Sequence, residues 1–459
     1  MEVSGTGSRR EPDRARQGQR NTRDEEYLSN SRLHYVPAHR QTGDYTRALP
    51  DHLPPFPRKP HGALLADPLE DLKQRVCEAV DALSGTLLQV SHEIHANPEL
   101  SFEEHAASEL LISTLEQAGL EVEPGAYGLE TAFAADFGNA GQDGGCVAIV
   151  AEYDALPQIG HACGHNIIAA MAVGAGITLG KLADHLGLTV SVIGTPAEEV
   201  GDNGGKIALL ERRAFDGVHL AMMVHPAPYD VAEPKIIAAS MFEVNYTGKE
   251  AHAAAFPELG INAADALTVA QSAIGLLRQH IRQTDRIHGI VTKGGDAPNV
   301  IPAHTTARYI IRSETVADMD ELRVKVRRCS EAGAIATGST LEYMGGDKPY
   351  AEMHHDSQIA AIYQRNAESL GRTFPDLGAA GERAAGSTDM GNISLAVPSI
   401  HPFIGIDSLP AVNHQPEFAA HCVTEAADKA LIDGATSMAW TVINVASDEA
   451  ITQRLMDGN

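Results

Sequence analysis

The chain has 459 residues, 43% hydrophobic and 21% charged, with a formal net charge of -26. That length exceeds one ordinary core and implies a globular protein of two domains. Residues 1–60 hold 11 Lys and Arg against 8 Asp and Glu, a net of +3, so the remainder carries -29; a body that acidic repels nucleic acid and anionic membrane and argues against both as partners.

Residues 1–65 are polar and Pro-rich, ending in LPPFPRKP, and read as a disordered N-terminal extension. Order is expected from Leu69 onward. Leu69, Leu72, Val76, Val80, Leu83, Leu87, Val90 and Ile94 recur at steps of three and four, one face of a long helix that Pro98 ends. A second helix is expected from Glu104 to Gly119, whose glycine suits the position after a helix end. Strands near 132–137, 147–151, 188–193 and 220–224 then alternate with helices near 166–185 and 205–213. Short apolar strands between helices imply a mostly parallel sheet covered on both faces.

From Ile236 the pattern changes. A strand (238–246), helix (262–280), two strands (287–293 and 305–312), helix (317–332) and strand (340–344) give the order βαββαβ, which is ferredoxin-like and closes as its own antiparallel sheet. Residues 236–351 therefore read as an inserted domain, with 66–235 and 352–459 forming the other. A helix (357–370), one strand (399–406) and a final helix (424–445) complete the chain. The five cysteines, 77, 146, 163, 329 and 422, are scattered without a CxxC, which points to a reducing compartment rather than a disulfide framework. With no apolar run of about 18 residues and no signal-peptide pattern, a cytoplasmic location is expected.

The chemistry concentrates in E-Y-D-A-L-P-Q-I-G-H-A-C-G-H-N, Glu152 to Asn166, and P-A-E-E, Pro196 to Glu199. Each follows an apolar strand, as sites of open α/β sheets do. Cys163 and His165 flank a glycine that lets both side chains face one point. Thiolate, imidazole and carboxylate are ligands for a zinc- or manganese-like ion. The alternative for this pair alone is an inert buried Cys beside a helix-terminal His. In Glu198-Glu199, one carboxylate can bind metal while the other takes a proton from its water. His225 ends the next strand and is a further ligand candidate. A last ligand falls to His401, His414 or His421, of which His414 lies in a loop free to reach the site. G-D-N-G-G-K-I around Lys206 lacks the spacing and the hydroxyl residue of a phosphate loop. G-S-T-D-M-G, 386–391, reads as a turn into a helix capped by Ser387 or Asp389.

These motifs resemble those of the two-metal peptidases of metallopeptidase family 20, in the branch of auxin-conjugate amidohydrolases, aminobenzoyl-glutamate hydrolases and Xaa-Arg or β-alanyl dipeptidases. The matching runs are HEIHANPELSFEE (92–104), EYDALPQIGHACGHN (152–166), GTPAEE (194–199), MMVHP (222–226), GKEAHAAAFPELGINAADA (248–266), PNVIP (298–302), GSTDMGN (386–392) and NHQPEF (413–418). The resemblance implies a two-metal catalytic α/β domain and an inserted lid that dimerises. It implies Cys163 as bridging ligand, and His165, Glu199, His225 and His414 as the others. Glu198 would be the general base that takes the water proton, with metal-bound hydroxide as the nucleophile, and Asp154 the carboxylate that orients the site. His252 would hold the substrate oxyanion in the neighbouring subunit of a homodimer, with Asn299 and Arg312 as contacts to the substrate carboxylate. Two divalent ions, Zn²⁺ or Mn²⁺ with Co²⁺ also suitable, are the implied cofactors.

The implied activity is hydrolysis of an amide bond in a small N-acyl amino acid or dipeptide. The rival readings are a catalytically silent binding protein on the same scaffold and an enzyme for aromatic N-acyl amino acids. Two positions depart from the family pattern. Glu152 stands where the branch often has Asp, with little consequence expected. Val200-Gly201-Asp202-Asn203 is a less Gly-rich loop than usual.

Overall fold

The computed structural model describes residues 68–138, 144–378, 381 and 385–458; the expected N-terminal extension lies outside them. Helices α1 (Pro68–Ala96) and α2 (His105–Gln117) open the chain. Leu72, Val76, Val80, Leu83, Leu87, Val90 and Ile94 of α1 are all buried, as one face of an amphipathic helix requires. Gly119 follows α2 at φ +89°, a left-handed conformation that glycine adopts without steric cost.

Strands β1 (Glu123–Pro124), β2 (Phe133–Phe137) and β3 (Gly145–Glu152) lead to helix α3 (His165–Gly180). The expected helix near 166–185 is interrupted, its end forming the separate turn α4 (Ala183–Leu186). Strand β4 (Leu188–Thr195), helix α5 (Gly205–Glu211), and strands β5 (Leu220–Met222) and β6 (His225–Ala227) follow.

The insertion comprises β7 (Ala238–Thr247), α6 (Ala263–Leu277), β8 (Arg286–Lys293), β9 (His304–Ser313), α7 (Val316–Thr337) and β10 (Thr340–Gly345). Its four strands form one antiparallel sheet in the order β10-β7-β9-β8. Val244 and Tyr246 pack against Leu267 and Ile274 of α6 and Leu322 and Val326 of α7 in a core of their own. Edge strand β8 is exposed at every residue except Ile287, with Ile290 65% exposed.

The chain ends with α8 (Ser357–Ser369), α9 (Met390–Ser394), β11 (Ser399–Ile400), β12 (Phe403–Gly405), α10 (Pro416–His421), α11 (Glu425–Ala446) and α12 (Glu449–Met456). The central sheet has the order β1-β2-β4-β3-β5-β11. Strands β4, β3, β5 and β11 run parallel, and β2 and β1 join antiparallel at one edge. Along β3, Val147, Ile149 and Ala151 enter one core with α1, α3 and α11, while Ala148 and Val150 enter another with Leu209, Met390 and Ile393. That alternation is why β3 reads as a continuous apolar run.

The single strand expected over 399–406 is instead two. Pro402 has no N–H to donate, and the chain breaks at His401–Pro402 opposite the break between β5 and β6. The later pair, β12 with β6, separates as a two-stranded piece, which sets His225 at its start. No helix among the described residues is long and apolar enough to cross a membrane, and all five cysteines are free.

Candidate metal centre

The site gathers where β3 and β4 end. Gly164 sits at φ +84° before α3, and a Cβ there would lie 2.4 Å from Pro226 Cγ. Only glycine fits this turn, which sets Cys163 on one side and His165 on the other. His165 Nδ1 donates to the Asp154 carbonyl at 2.8 Å and approaches Asp154 Oδ1 at 3.1 Å. That places a proton on Nδ1 and makes Nε2 the nitrogen that faces the neighbouring carboxylates. Asp154 Oδ2 also accepts from Ser101 Oγ at 2.6 Å and from Glu199 N at 2.9 Å.

Strand β4 delivers the glutamate pair through a strained turn. Ala197 has φ +60°, costly for any residue but glycine. Its N–H donates to buried Glu104 Oε1 at 2.9 Å, and Thr131 Oγ1 donates to the other Glu104 oxygen at 2.9 Å. Burial, with Asp154 adding, pushes Glu104 up to about 7. Burial and the charges of Glu152, Glu199 and Asp389 push Glu198 well above the ordinary carboxylate range. Burial raises Glu199 to about 7 against the opposing pull of His165.

Around this pair the ligating atoms converge. Cys163 Sγ lies 3.4 Å from His225 Nε2, and His225 Nδ1 donates to the Pro226 carbonyl at 2.8 Å. Glu199 Oε1 lies 3.9 Å from His165 Nε2 and 3.6 Å from His414 Nε2. Among the described residues, three groups have ligand atoms within 4.8 Å of one another: Cys163, His165 and His225; Cys163, Glu199 and His414; and Glu152, His165 and Glu198. Cys163 belongs to two of them. His165 Nε2, Glu152 Oε1 and Glu199 Oε1 are buried without hydrogen-bond partners, although His165 Nε2 and Glu152 Oε1 are 2.9 Å apart. Orphaned acceptors this deep are costly unless a cation satisfies them. Thiol, imidazole and carboxylate donors so arranged fit two divalent ions of the zinc or manganese kind. Among the three late histidines, His414 meets Glu199, from a loop that leaves its side chain 57% exposed. His401 is buried with its ring 5.5 Å from that of His225.

Beneath the cluster lies a feature the sequence reading misses. Lys206 is fully buried, donating to Asp389 Oδ1 at 2.7 Å and bonded to Glu152. Burial alone would raise Glu152, but Lys206 and His165 hold it well below its usual range. Glu152, the position where the family often has Asp, thus joins Lys206 to His165. Asp389, one of the two expected caps, holds the N-cap position of α9 but makes no side-chain capping bond, its carboxylate turned to Lys206 instead. The signal available in the sequence is a lone lysine opening an apolar helix close to an acid-rich motif.

Of the insertion's three expected site residues, Arg312 bonds to a residue outside the insertion. Arg312 donates to Ser387 Oγ at 2.7 Å; burial lowers its pKa while the charge of Glu198 counters. His252 is exposed, and its Nδ1 accepts from the amides of Ala254 and Ala255 at 3.3 and 3.1 Å, so the neutral ring carries its proton on Nε2. Asn299 is exposed beside it, its carbonyl accepting from Ala253 N at 3.0 Å. The hydrogen bonds of both stay within the insertion.

Residues 238–337 match the peptidase dimerisation domain. The chain is 36% identical over 406 residues to the Xaa-Arg dipeptidase of Mus musculus, covering 85% of this chain and 93% of that one. It is 30% identical over 295 residues to one of the p-aminobenzoyl-glutamate hydrolase subunits of Escherichia coli, covering 60% of each. A dinuclear metal-binding peptidase of the M20 family from Bacillus subtilis shares the fold with a TM-score of 0.60 at 22% identity, covering 80% of this chain and 99% of that one.

Proposed function

The chain belongs to metallopeptidase family 20 and is a metal-dependent amide hydrolase, and on that premise we propose that it cuts small dipeptides with a basic C-terminal residue. One observation carries the catalytic part: Cys163 is shared by two groups of converging ligand atoms, with Glu198 beside them and in neither. Cys163, His165 and His225 would hold one divalent ion, and Cys163, Glu199 and His414 the other. When bound, the ions would polarise the scissile carbonyl and acidify the attacking water.

The remaining chemistry belongs to the chain. Asp154 orients His165. Glu198, whose burial raises its proton affinity, takes a proton from the attacking water and returns it to the leaving nitrogen as the C–N bond breaks. His252, a neutral Nε2–H donor, stabilises the developing oxyanion in the neighbouring subunit. Arg312 and Asn299 bind the substrate carboxylate. The stretches flanking the insertion form the catalytic domain, and the insertion forms the lid. The lid pairs with a second copy along exposed strand β8, since an unpaired edge of this kind templates association.

For the substrate, the mouse relative named Xaa-Arg dipeptidase matches over most of both chains, and the net charge of -26 draws cationic substrates. The test is hydrolysis by metal-reconstituted protein of Xaa-Arg, Xaa-Lys and β-alanyl dipeptides against aromatic N-acyl amino acids. The highest kcat/KM is expected for Xaa-Arg or Xaa-Lys. A preference for aromatic N-acyl amino acids would overturn the substrate class, and no turnover of any would favour a silent binding protein.

A further inference from the structure

The loop Val200–Asn203 leaves the glutamate pair and is bound to the segment by which the chain exits the four-stranded sheet. Asp202 accepts from Gly346 N at 2.9 Å and from Lys348 N at 3.3 Å. Asn203 N donates to the Lys348 carbonyl at 3.0 Å. Tyr350 completes the tie. Its hydroxyl donates to the Glu198 carbonyl oxygen and accepts from Gly201 N at 3.1 Å. Its main chain exchanges bonds with Ala239, the second residue of β7, at 2.9 and 3.0 Å. Tyr350 thus joins both segments crossing into the insertion, through its main chain, to the main chain that carries Glu198, through its buried hydroxyl.

The hydroxyl has little room to shift. Tyr350 is 3% exposed, and a Cβ on Gly204 would lie 2.6 Å from its oxygen. Burial, with Asp389 and Glu198 nearby, keeps the phenol protonated and able to donate. Without it the Glu198 carbonyl and the Gly201 amide would lose a buried partner.

We propose that Tyr350 is a positioning residue for Glu198, tying the orientation of the four-stranded domain to the placement of that carboxylate. The proposal rests on the reading of Glu198 as general base.

Tyr350→Phe removes only the hydroxyl and keeps the packing. In the metal-loaded full chain it should lower kcat about 10–100-fold, the range for loss of an outer partner or a misplacement near 1 Å. KM and metal content should stay within about twofold, and amide exchange at Gly201 should quicken about tenfold or more as its buried partner is lost. A variant with faster exchange and wild-type kcat would overturn the proposal, as would unchanged exchange or a fall in metal content that accounts for the lost rate. If wild-type protein turned over no substrate, the functional reading would fail instead, and the exchange measurement would still decide whether Tyr350 holds the loop.

Discussion

Lys206 Nζ donates to Asp389 Oδ1 across 2.7 Å with both side chains fully buried, and the same ammonium is bonded to Glu152. One cation thereby neutralises carboxylates from β3 and from the approach to α9 directly under the candidate metal centre. Removing one member of such a group strands the others without compensation. Lys206→Met should therefore destabilise the metal-free protein by about 3–5 kcal/mol, read from urea unfolding. A loss below about 1 kcal/mol, the range of an exposed pair, would mean that water reaches these carboxylates.

His161 sets an acid limit on the fold. Its ring is buried, and burial, with His165 and His95 adding, lowers its pKa from 6.5 to about 3. Between those values the unfolded chain binds more protons at this ring than the folded protein does, so stability rises with pH. The ring's contribution is fully present above the unfolded value and is lost as pH falls toward the folded one. His161→Leu should flatten the decline in the Tm of metal-free protein as the pH is lowered from 6.5. A Tm difference between variant and wild type that does not change with pH would contradict this.

The fold is legible in the sequence because its elements are locally periodic. The stripe from Leu69 to Ile94 is helical whatever it packs against, and Val147–Ala151 is apolar on both faces because both faces are covered. The order βαββαβ follows from the same local signals. The break at His401–Pro402 is less legible, since each half remains apolar. What the sequence hides is the support of the site. Lys206 meets Glu152 and Asp389 across 54 and 183 positions, and Tyr350 meets the Glu198 carbonyl across 152. Nothing local in a lysine or tyrosine announces such partners. Cys163, His165 and the glutamate pair are legible because Gly-flanked turns after strands announce themselves.

Cys163 should respond to metal as a ligand does. In the metal-free protein, burial and Glu199 push its thiol well above the ordinary range, so labelling by a thiol reagent should be slow but complete. Saturating Zn²⁺ or Mn²⁺ should protect it further, and Cys163→Ala should lose bound metal as well as activity. Equal labelling with and without metal would put Cys163 outside the centre.

His252 should act across the dimer. His252→Ala should lower kcat about 10²–10³-fold with metal retained, as for loss of one oxyanion donor. Mixing inactive His252→Ala with inactive Glu198→Gln protein should restore activity, because a mixed dimer has one site with both groups intact. Random exchange would make about half the dimers mixed and return about a quarter of wild-type activity. Subunit exchange without recovery would confine His252 to its own chain.

The central claim is that two divalent ions gather at Cys163, His165, Glu199, His225 and His414 while Glu198 moves the proton. The most direct measurement is a metal titration of metal-free protein, following bound ion and hydrolysis of an Xaa-Arg dipeptide together, in wild type and in Glu198→Gln. Wild type should reach full activity only as the second ion binds. Glu198→Gln should bind the same two ions with similar affinity yet turn over about 10²–10⁴-fold more slowly. Full activity before a second ion binds, or Glu198→Gln retaining more than about a tenth of wild-type kcat, would contradict the account.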